Sequence, residues 1–133
     1  MKFDKELWEK TIEYHGHKCP GLAMGFKICE GAVAKMDIKP LEDDVVCISE
    51  NNTCPADAVR FILGCTEDNK KLDYRPSDKL AFSFFDKTNG KKLKIELKEL
   101  NRDKNMSKEE FMNYILESNI EDILEFSEPV CEF

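Results

Sequence analysis

The sequence of 133 residues is short of several features that mark common classes of protein. It has 20 lysine and arginine residues against 27 acidic residues, a formal net charge of −7, so it lacks the basic surface that nucleic-acid binding requires. No apolar run approaches the roughly 20 residues of a membrane span. The start, MKFDKELWEK, lacks the apolar stretch of a signal peptide. These absences predict a cytoplasmic protein that binds neither nucleic acid nor a membrane.

The sequence has only two histidines, and its six cysteines form no CxxC motif. In a cytosolic chain, cysteines indicate reduced thiols, metal ligands or redox groups rather than a disulfide framework. A chain of this length buries about two thirds of its unfolded surface, so it needs no metal merely to fold. We therefore interpret residues 1–133 as a single domain in which a metal would be functional.

Local patterns predict the order helix, helix, strand, helix, three strands and two C-terminal helices. The Asn89-Gly90 step between the last two strands favours a tight hairpin. The order predicts an α+β fold with a mixed, partly antiparallel sheet packed by helices and with extra C-terminal helices. The predicted ranges are about 4–14, 20–36, 45–49, 55–63, 72–74, 80–85, 92–97, a helix starting at Ser107, and 119–126.

Two predicted helices begin with the same dipeptide, Cys19-Pro20 and Cys54-Pro55. Proline is favoured at the first helical position, which would place each cysteine at the N-cap. Cysteine is a poor capping residue compared with serine or aspartate, so another role is indicated. The positive end of the helix dipole favours the thiolate, the form that binds metals.

Both histidines immediately precede the first of these cysteines, in the stretch HGHKC. Imidazole and thiolate together suit zinc, and iron and nickel accept the same donors. We predict a metal site formed by His17, Cys19 and Cys54, with His15 beside it or facing a substrate. Chemistry does not rank the two histidines, and His17 is preferred because it follows the flexible Gly16. The alternative is a polar turn between two helices.

Three further side chains are candidates for the surroundings of this site. Asp57 falls in the first turn of a helix, where a carboxylate also stabilises the dipole. Glu50 ends a predicted strand, where it either orients a histidine or contacts a substrate, or is simply solvated. Cys65 follows the helix that Cys54 begins, about 14 Å away at 1.5 Å per residue, so the two should not bind one ion within one protomer.

The remaining cysteines and the aromatic residues bear on the core and on assembly. Cys29 and Cys47 lie in apolar stretches and are predicted to be small core residues. The segment from Phe82 to Phe85 is so rich in aromatic residues that one core is not expected to cover it, which predicts a homodimer.

The chain resembles the formylmethanofuran dehydrogenase E-subunit family in three stretches, HGHKCPGLAMG, ENNTCPADAV and ILGCT, which occur in the same order and at similar separations. The resemblance implies the family's α-β-α-β-β-β core and a bound metal, commonly zinc. It puts His17, Cys19 and Cys54 at the ligand positions. Residues that sit at motif positions and would line the same cavity are His15, Asp57 and Cys65. The family is named after a larger redox enzyme, and such an enzyme is a candidate partner.

The chain departs from that family at two places. Longer relatives carry a C-terminal zinc ribbon with paired cysteines, whereas this chain has only Cys131 there, so the core domain alone is expected. After Cys65-Thr66 the family usually has a glycine-rich turn, and here Glu67 to Lys71 contains no glycine.

Three hypotheses for the function remain open. A metal with three protein ligands would keep a position for water or a small molecule, and Asp57, Glu50 and His15 would be the candidate bases. A fourth protein ligand would instead indicate a structural metal in an accessory protein of a larger enzyme. Cys19 and Cys54 are also candidates for a reversible disulfide. All three hypotheses require the two cysteines to lie close together.

Overall fold

The computed structural model describes residues 2–132. Within that range, no helix has both the length and the apolar character that a membrane crossing needs. The elements in chain order are α1 (Lys5–His15), α2 (Pro20–Met36), β1 (Val45–Ser49), α3 (Cys54–Leu63), β2 (Leu72–Tyr74), β3 (Ala81–Asp86), β4 (Lys92–Leu97), α4 (Lys108–Glu117), α5 (Ile120–Ile123) and β5 (Leu124–Ser127).

The five strands form one mixed sheet in the order β2-β1-β3-β4-β5. β1 and β2 are parallel, because α3 crosses between them, and the other neighbours are antiparallel. The turn between β3 and β4 uses Gly90 at φ +77°, a conformation that suits glycine. The α+β class and the mixed sheet predicted from the sequence are therefore confirmed.

The core lies between one face of the sheet and α2, whose Leu22 and Ile28 are fully buried. On β3, Phe82 and Phe84 point to this face and are also fully buried. A single chain thus covers the aromatic strand, and that strand no longer argues for a homodimer. Cys29 and Cys47 are buried in this core, as predicted.

The structure corrects the sequence prediction for the last helix, placed at about residues 119–126. Only Ile120–Ile123 is helical, and Leu124–Ser127 is a strand. Leu124 pairs with Leu97 and Phe126 with Ile95, so the segment adds a strand to the edge of β4. Tertiary pairing has overridden the local helical preference, as short segments readily allow. The preceding helix is confirmed, with Ser107 and Glu110 forming the predicted capping box.

Candidate metal centre

Three helix ends meet at one place in the fold. His15 is the last residue of α1, Cys19 is the N-cap of α2, and Cys54 is the first residue of α3. The chain reverses at Gly16, whose φ of +104° is in the left-handed region, and this brings the His17 ring to 4.5 Å from the His15 ring. One candidate donor atom from each of His15, His17, Cys19 and Cys54 lies within 4.8 Å of the others.

The starts of α2 and α3 approach each other over two glycines. A Cβ at Gly21 would lie 3.1 Å from the Cβ of Cys54, and a Cβ at Gly25 would lie 2.4 Å from the backbone oxygen of Pro55. The absence of side chains there lets the backbone of α2 approach the Cys54 side chain at Gly21 and the Pro55 backbone at Gly25. Close packing at this point is what brings Cys54 beside Cys19.

The two cysteines differ in their surroundings. The Cys19 sulfur is buried and accepts a hydrogen bond from the Leu22 N–H at 3.4 Å, so it does cap its helix. Cys54 does not take the predicted N-cap position, which Thr53 occupies. Burial, followed by the hydrogen bond and charge of Cys19, raises the pKa of Cys54, contrary to the shift expected from the helix dipole. A bound cation must displace this proton, so binding should depend on pH.

Asp57 orients His15. The Nδ1 of His15 lies 2.6 Å from Oδ2 of Asp57, and its Nε2 lies 4.0 Å from the Cys19 sulfur. Asp57 is three residues after Cys54, one helical turn along α3 and on the same face. The structure therefore places His15 inside the cluster rather than behind His17, and it places Asp57 behind His15.

Arg60 is the residue that the sequence interpretation missed. Its Nη1 donates to Oδ1 of Asp57 at 2.7 Å, and the rest of its guanidinium contacts Asn52 and Glu67. The pair of Asp57 and Arg60 at positions i and i+3 of a helix was the available sequence signal. Glu67 lies beyond the end of α3, and no local pattern connects it with Arg60.

Two of the predicted surrounding residues lie elsewhere. Glu50 forms an ion pair with Lys94 at 3.5 Å. Cys65 is fully buried, its sulfur contacts the backbone oxygen of Val45 at 3.2 Å, and burial raises its pKa to about 12. Neither belongs to the His/Cys cluster found among residues 2–132.

The cluster fits a transition-metal ion by chemistry and by spacing. Two imidazoles and two thiols are a common donor set for tetrahedral zinc, whose bonds of about 2.0–2.3 Å set neighbouring donors about 3.3–3.8 Å apart. The donors of this cluster lie within 4.8 Å of one another, so a contraction of about 1 Å would reach that spacing.

A cavity of about 630 Å³ lies elsewhere, between α1, α2 and α4. Its lining includes Trp8, Phe26 and Lys27, and none of the four cluster residues. Lys27 is buried there with its ammonium 2.7 Å from Glu30, so its charge is already matched. This cavity is separate from the candidate metal centre.

The fold and the site together define an α+β protein with a candidate His/Cys metal centre at the meeting point of three helix ends. Residues 14–129 match the family described as "FmdE, Molybdenum formylmethanofuran dehydrogenase operon". The chain belongs to this family. Its His/Cys cluster fits a metal-binding FmdE-like protein.

Two relatives show how far the similarity extends. A crystal structure of a tungsten formylmethanofuran dehydrogenase FmdE-like protein from Syntrophus aciditrophicus superimposes with a TM-score of 0.76 and 26% identity, covering 96% of this chain and 72% of that one. A protein of Archaeoglobus fulgidus described as a probable S-adenosyl-L-methionine-binding protein is 30% identical over 129 residues. The match covers 90% of this chain but only 35% of that relative's length.

Proposed function

We propose that this protein binds one divalent transition-metal ion, zinc, through His15, His17, Cys19 and Cys54. The observation that carries the proposal is the convergence of four soft donors, from three helix ends, within 4.8 Å. Cys19 and Cys54 are far apart in the chain, and local sequence alone does not bring them together. Zinc is favoured over iron and nickel by the tetrahedral preference of a mixed sulfur and nitrogen donor set.

We propose further that the ion is open to a small-molecule ligand, which takes the place of His17 while His15, Cys19 and Cys54 stay bound. His17 is exposed, whereas Cys19 is buried and His15 and Cys54 are half-buried. A solvent-facing imidazole on a short turn is the donor that an incoming water or small anion replaces most easily. A zinc ion with such a position polarises a carbonyl or lowers the pKa of bound water.

The surroundings support ligand binding better than proton transfer. Both oxygens of Asp57 are engaged, by His15 and Arg60, so this carboxylate is not free to act as a base. Glu50 is paired with Lys94 outside the cluster. His15 turns its Nε2 toward Cys19. Each candidate base from the sequence is therefore occupied by another contact.

The presence of four candidate donors, rather than three, favours a second candidate function. A closed shell of four protein ligands is typical of a structural metal, and the similar protein from Syntrophus aciditrophicus is named after one component of a dehydrogenase. In this alternative the chain is an accessory protein that docks onto a larger redox enzyme.

A homodimer remains part of either proposal, and a solution mass by light scattering tests it.

Metal analysis of purified variants tests the proposed function. We expect about one equivalent of zinc in the wild type and most of it lost in Cys19→Ala and Cys54→Ala, because even outer-shell changes weaken binding 10–100-fold. Cys131→Ala is the matched control, since that cysteine lies outside the cluster. Full zinc content in both cluster variants would refute the assignment.

Cobalt substitution separates the open site from the closed one. If the site is open, His17→Ala should keep a tetrahedral cobalt spectrum, and added azide should shift that spectrum. If four protein ligands close the shell, His17→Ala should lose affinity about as much as the cysteine variants and azide should change nothing. Alkylation that becomes possible only after reduction, and not after chelation, would instead indicate a disulfide between Cys19 and Cys54.

A further inference from the structure

The guanidinium of Arg60 connects both ends of α3 to the candidate metal centre. Its Nε and Nη2 donate to the two carboxylate oxygens of Glu67 at 2.9 and 2.7 Å, and Nη2 also donates to Oδ1 of Asn52 at 2.7 Å. Asn52 precedes α3 and Glu67 follows it. The third nitrogen, Nη1, donates to Asp57 in the first turn of the helix. Every nitrogen of the guanidinium therefore donates at least one hydrogen bond.

This arrangement fixes the geometry of Asp57. One carboxylate oxygen is held by Arg60 at 2.7 Å, and the other lies 2.6 Å from Nδ1 of His15. A carboxylate oxygen only accepts hydrogen bonds, so Nδ1 of His15 carries the proton. In the neutral ring, Nε2 then holds the lone pair that a metal requires, and this atom lies on the side of Cys19.

The Arg60 guanidinium is less exposed and makes more contacts than that of an ordinary surface pair. The Arg60 side chain is 16% exposed, compared with 47% for Arg75, which pairs with Asp73 on the surface. Charged hydrogen bonds with a bidentate geometry hold an orientation as well as a charge. A lysine offers only a point charge and does not reproduce the fork.

We infer that Arg60 is a positioning residue for the metal centre: anchored by Glu67 and Asn52, it holds Asp57 so that Asp57 sets the tautomer and direction of His15. Without Arg60, Asp57 loses one of its two anchors, and His15 is free to turn and to populate the other tautomer. The inference rests on the proposed metal binding for its consequence, but the tautomer of His15 in the metal-free protein tests it independently.

The experiment compares Arg60→Gln, Arg60→Lys and Glu67→Gln with the control Arg75→Gln, which removes the exposed arginine–aspartate pair. Zinc affinity is measured by competition with a chromophoric chelator, and cobalt spectra report the geometry of the site. The nitrogen-15 shifts of His15 in the metal-free protein at alkaline pH report its tautomer. Urea unfolding of the same metal-free samples reports stability.

We expect Arg60→Gln to weaken zinc binding about 10-fold or more, Arg60→Lys to rescue it only in part, and Glu67→Gln to have a smaller effect in the same direction. The metal-free wild type should show His15 protonated at Nδ1, and Arg60→Gln should show a mixture. Arg75→Gln should match the wild type in both readouts.

A merely structural role for Arg60 predicts a different result. Arg60→Gln would then unfold at lower urea concentration while its folded fraction kept wild-type zinc affinity, cobalt spectrum and His15 tautomer, and this result would overturn the inference. If the wild type binds no zinc, the proposed function fails, and the tautomer comparison alone decides whether Arg60 positions His15. An unchanged tautomer in Arg60→Gln and Arg60→Lys rejects the inference in that case too.

Discussion

Replacing Gly25 by alanine tests whether the close approach of α2 and α3 assembles the proposed metal centre. The new Cβ would lie 2.4 Å from the oxygen and 2.7 Å from the Cα of Pro55. Both are backbone atoms at the beginning of α3, so no change of side-chain rotamer relieves the contact. The two helices must separate, and Cys54, next to Pro55, must move away from Cys19.

The sign of the effect follows from two opposing terms. Alanine is favoured over glycine inside a helix by about 1 kcal/mol. Overpacking a well-packed site costs about 1–3 kcal/mol and occasionally more, and contacts with backbone belong at the upper end. We therefore expect Gly25→Ala to lower the free energy of unfolding of the metal-free protein by about 2 kcal/mol. Separation of the two sulfurs should also weaken zinc binding at least 10-fold, which corresponds to about 1.4 kcal/mol.

Urea unfolding after chelation, together with zinc competition, measures both effects. Gly31→Ala is the matched control, because a Cβ there meets the side-chain ends of Leu124 at 2.9 Å and Phe126 at 3.2 Å, which are able to move. That variant should change stability by less than about 1 kcal/mol and leave zinc affinity unaltered. Wild-type stability and wild-type zinc affinity in Gly25→Ala would refute the reasoning.

Three further predictions concern other parts of the chain. Ser107→Ala removes the side-chain cap of α4 and should lower the free energy of unfolding, measured in urea, by about 1 kcal/mol. An unchanged free energy of unfolding would show that this cap does not stabilise the helix. Arg60 lowers the pKa of Glu67, so their pair stabilises the fold above the carboxylate's unfolded pKa and is lost as pH falls through the lower folded value. Glu67→Gln should therefore lower the free energy of unfolding by no more than about 1 kcal/mol at pH 7, and its stability should equal that of the wild type in acid. A stability difference that persists in acid would show that the ion pair is not its cause. Burial raises the pKa of the three core thiols, Cys29, Cys47 and Cys65. In native alkylation followed by mass spectrometry, Cys131 should therefore react before them, and addition of a chelator should not make them reactive.

The sequence by itself determined the features that depend on neighbouring residues. Pro20 after Cys19, Gly64 after α3 and the Ser107 to Glu110 capping box mark helix ends through local geometry and hydrogen bonding. The Asn89-Gly90 hairpin is likewise set within a few residues. These signals, with the apolar periodicity, were sufficient for the α+β class and for the choice of HGHKC and Cys54 as the residues of interest.

Only the tertiary structure decided which of these residues meet and how. Packing of α2 on α3 placed Cys54 beside Cys19, and the turn at Gly16 brought both imidazoles to the same side. The edge of β4 converted the end of a predicted helix into β5, because an unpaired strand edge presents a row of N–H and C=O groups with which another segment pairs. The hydrogen bonds between Arg60 and Glu67 likewise form only in the folded chain. Contacts of this kind depend on the whole fold, since their energies arise between segments that no local pattern relates.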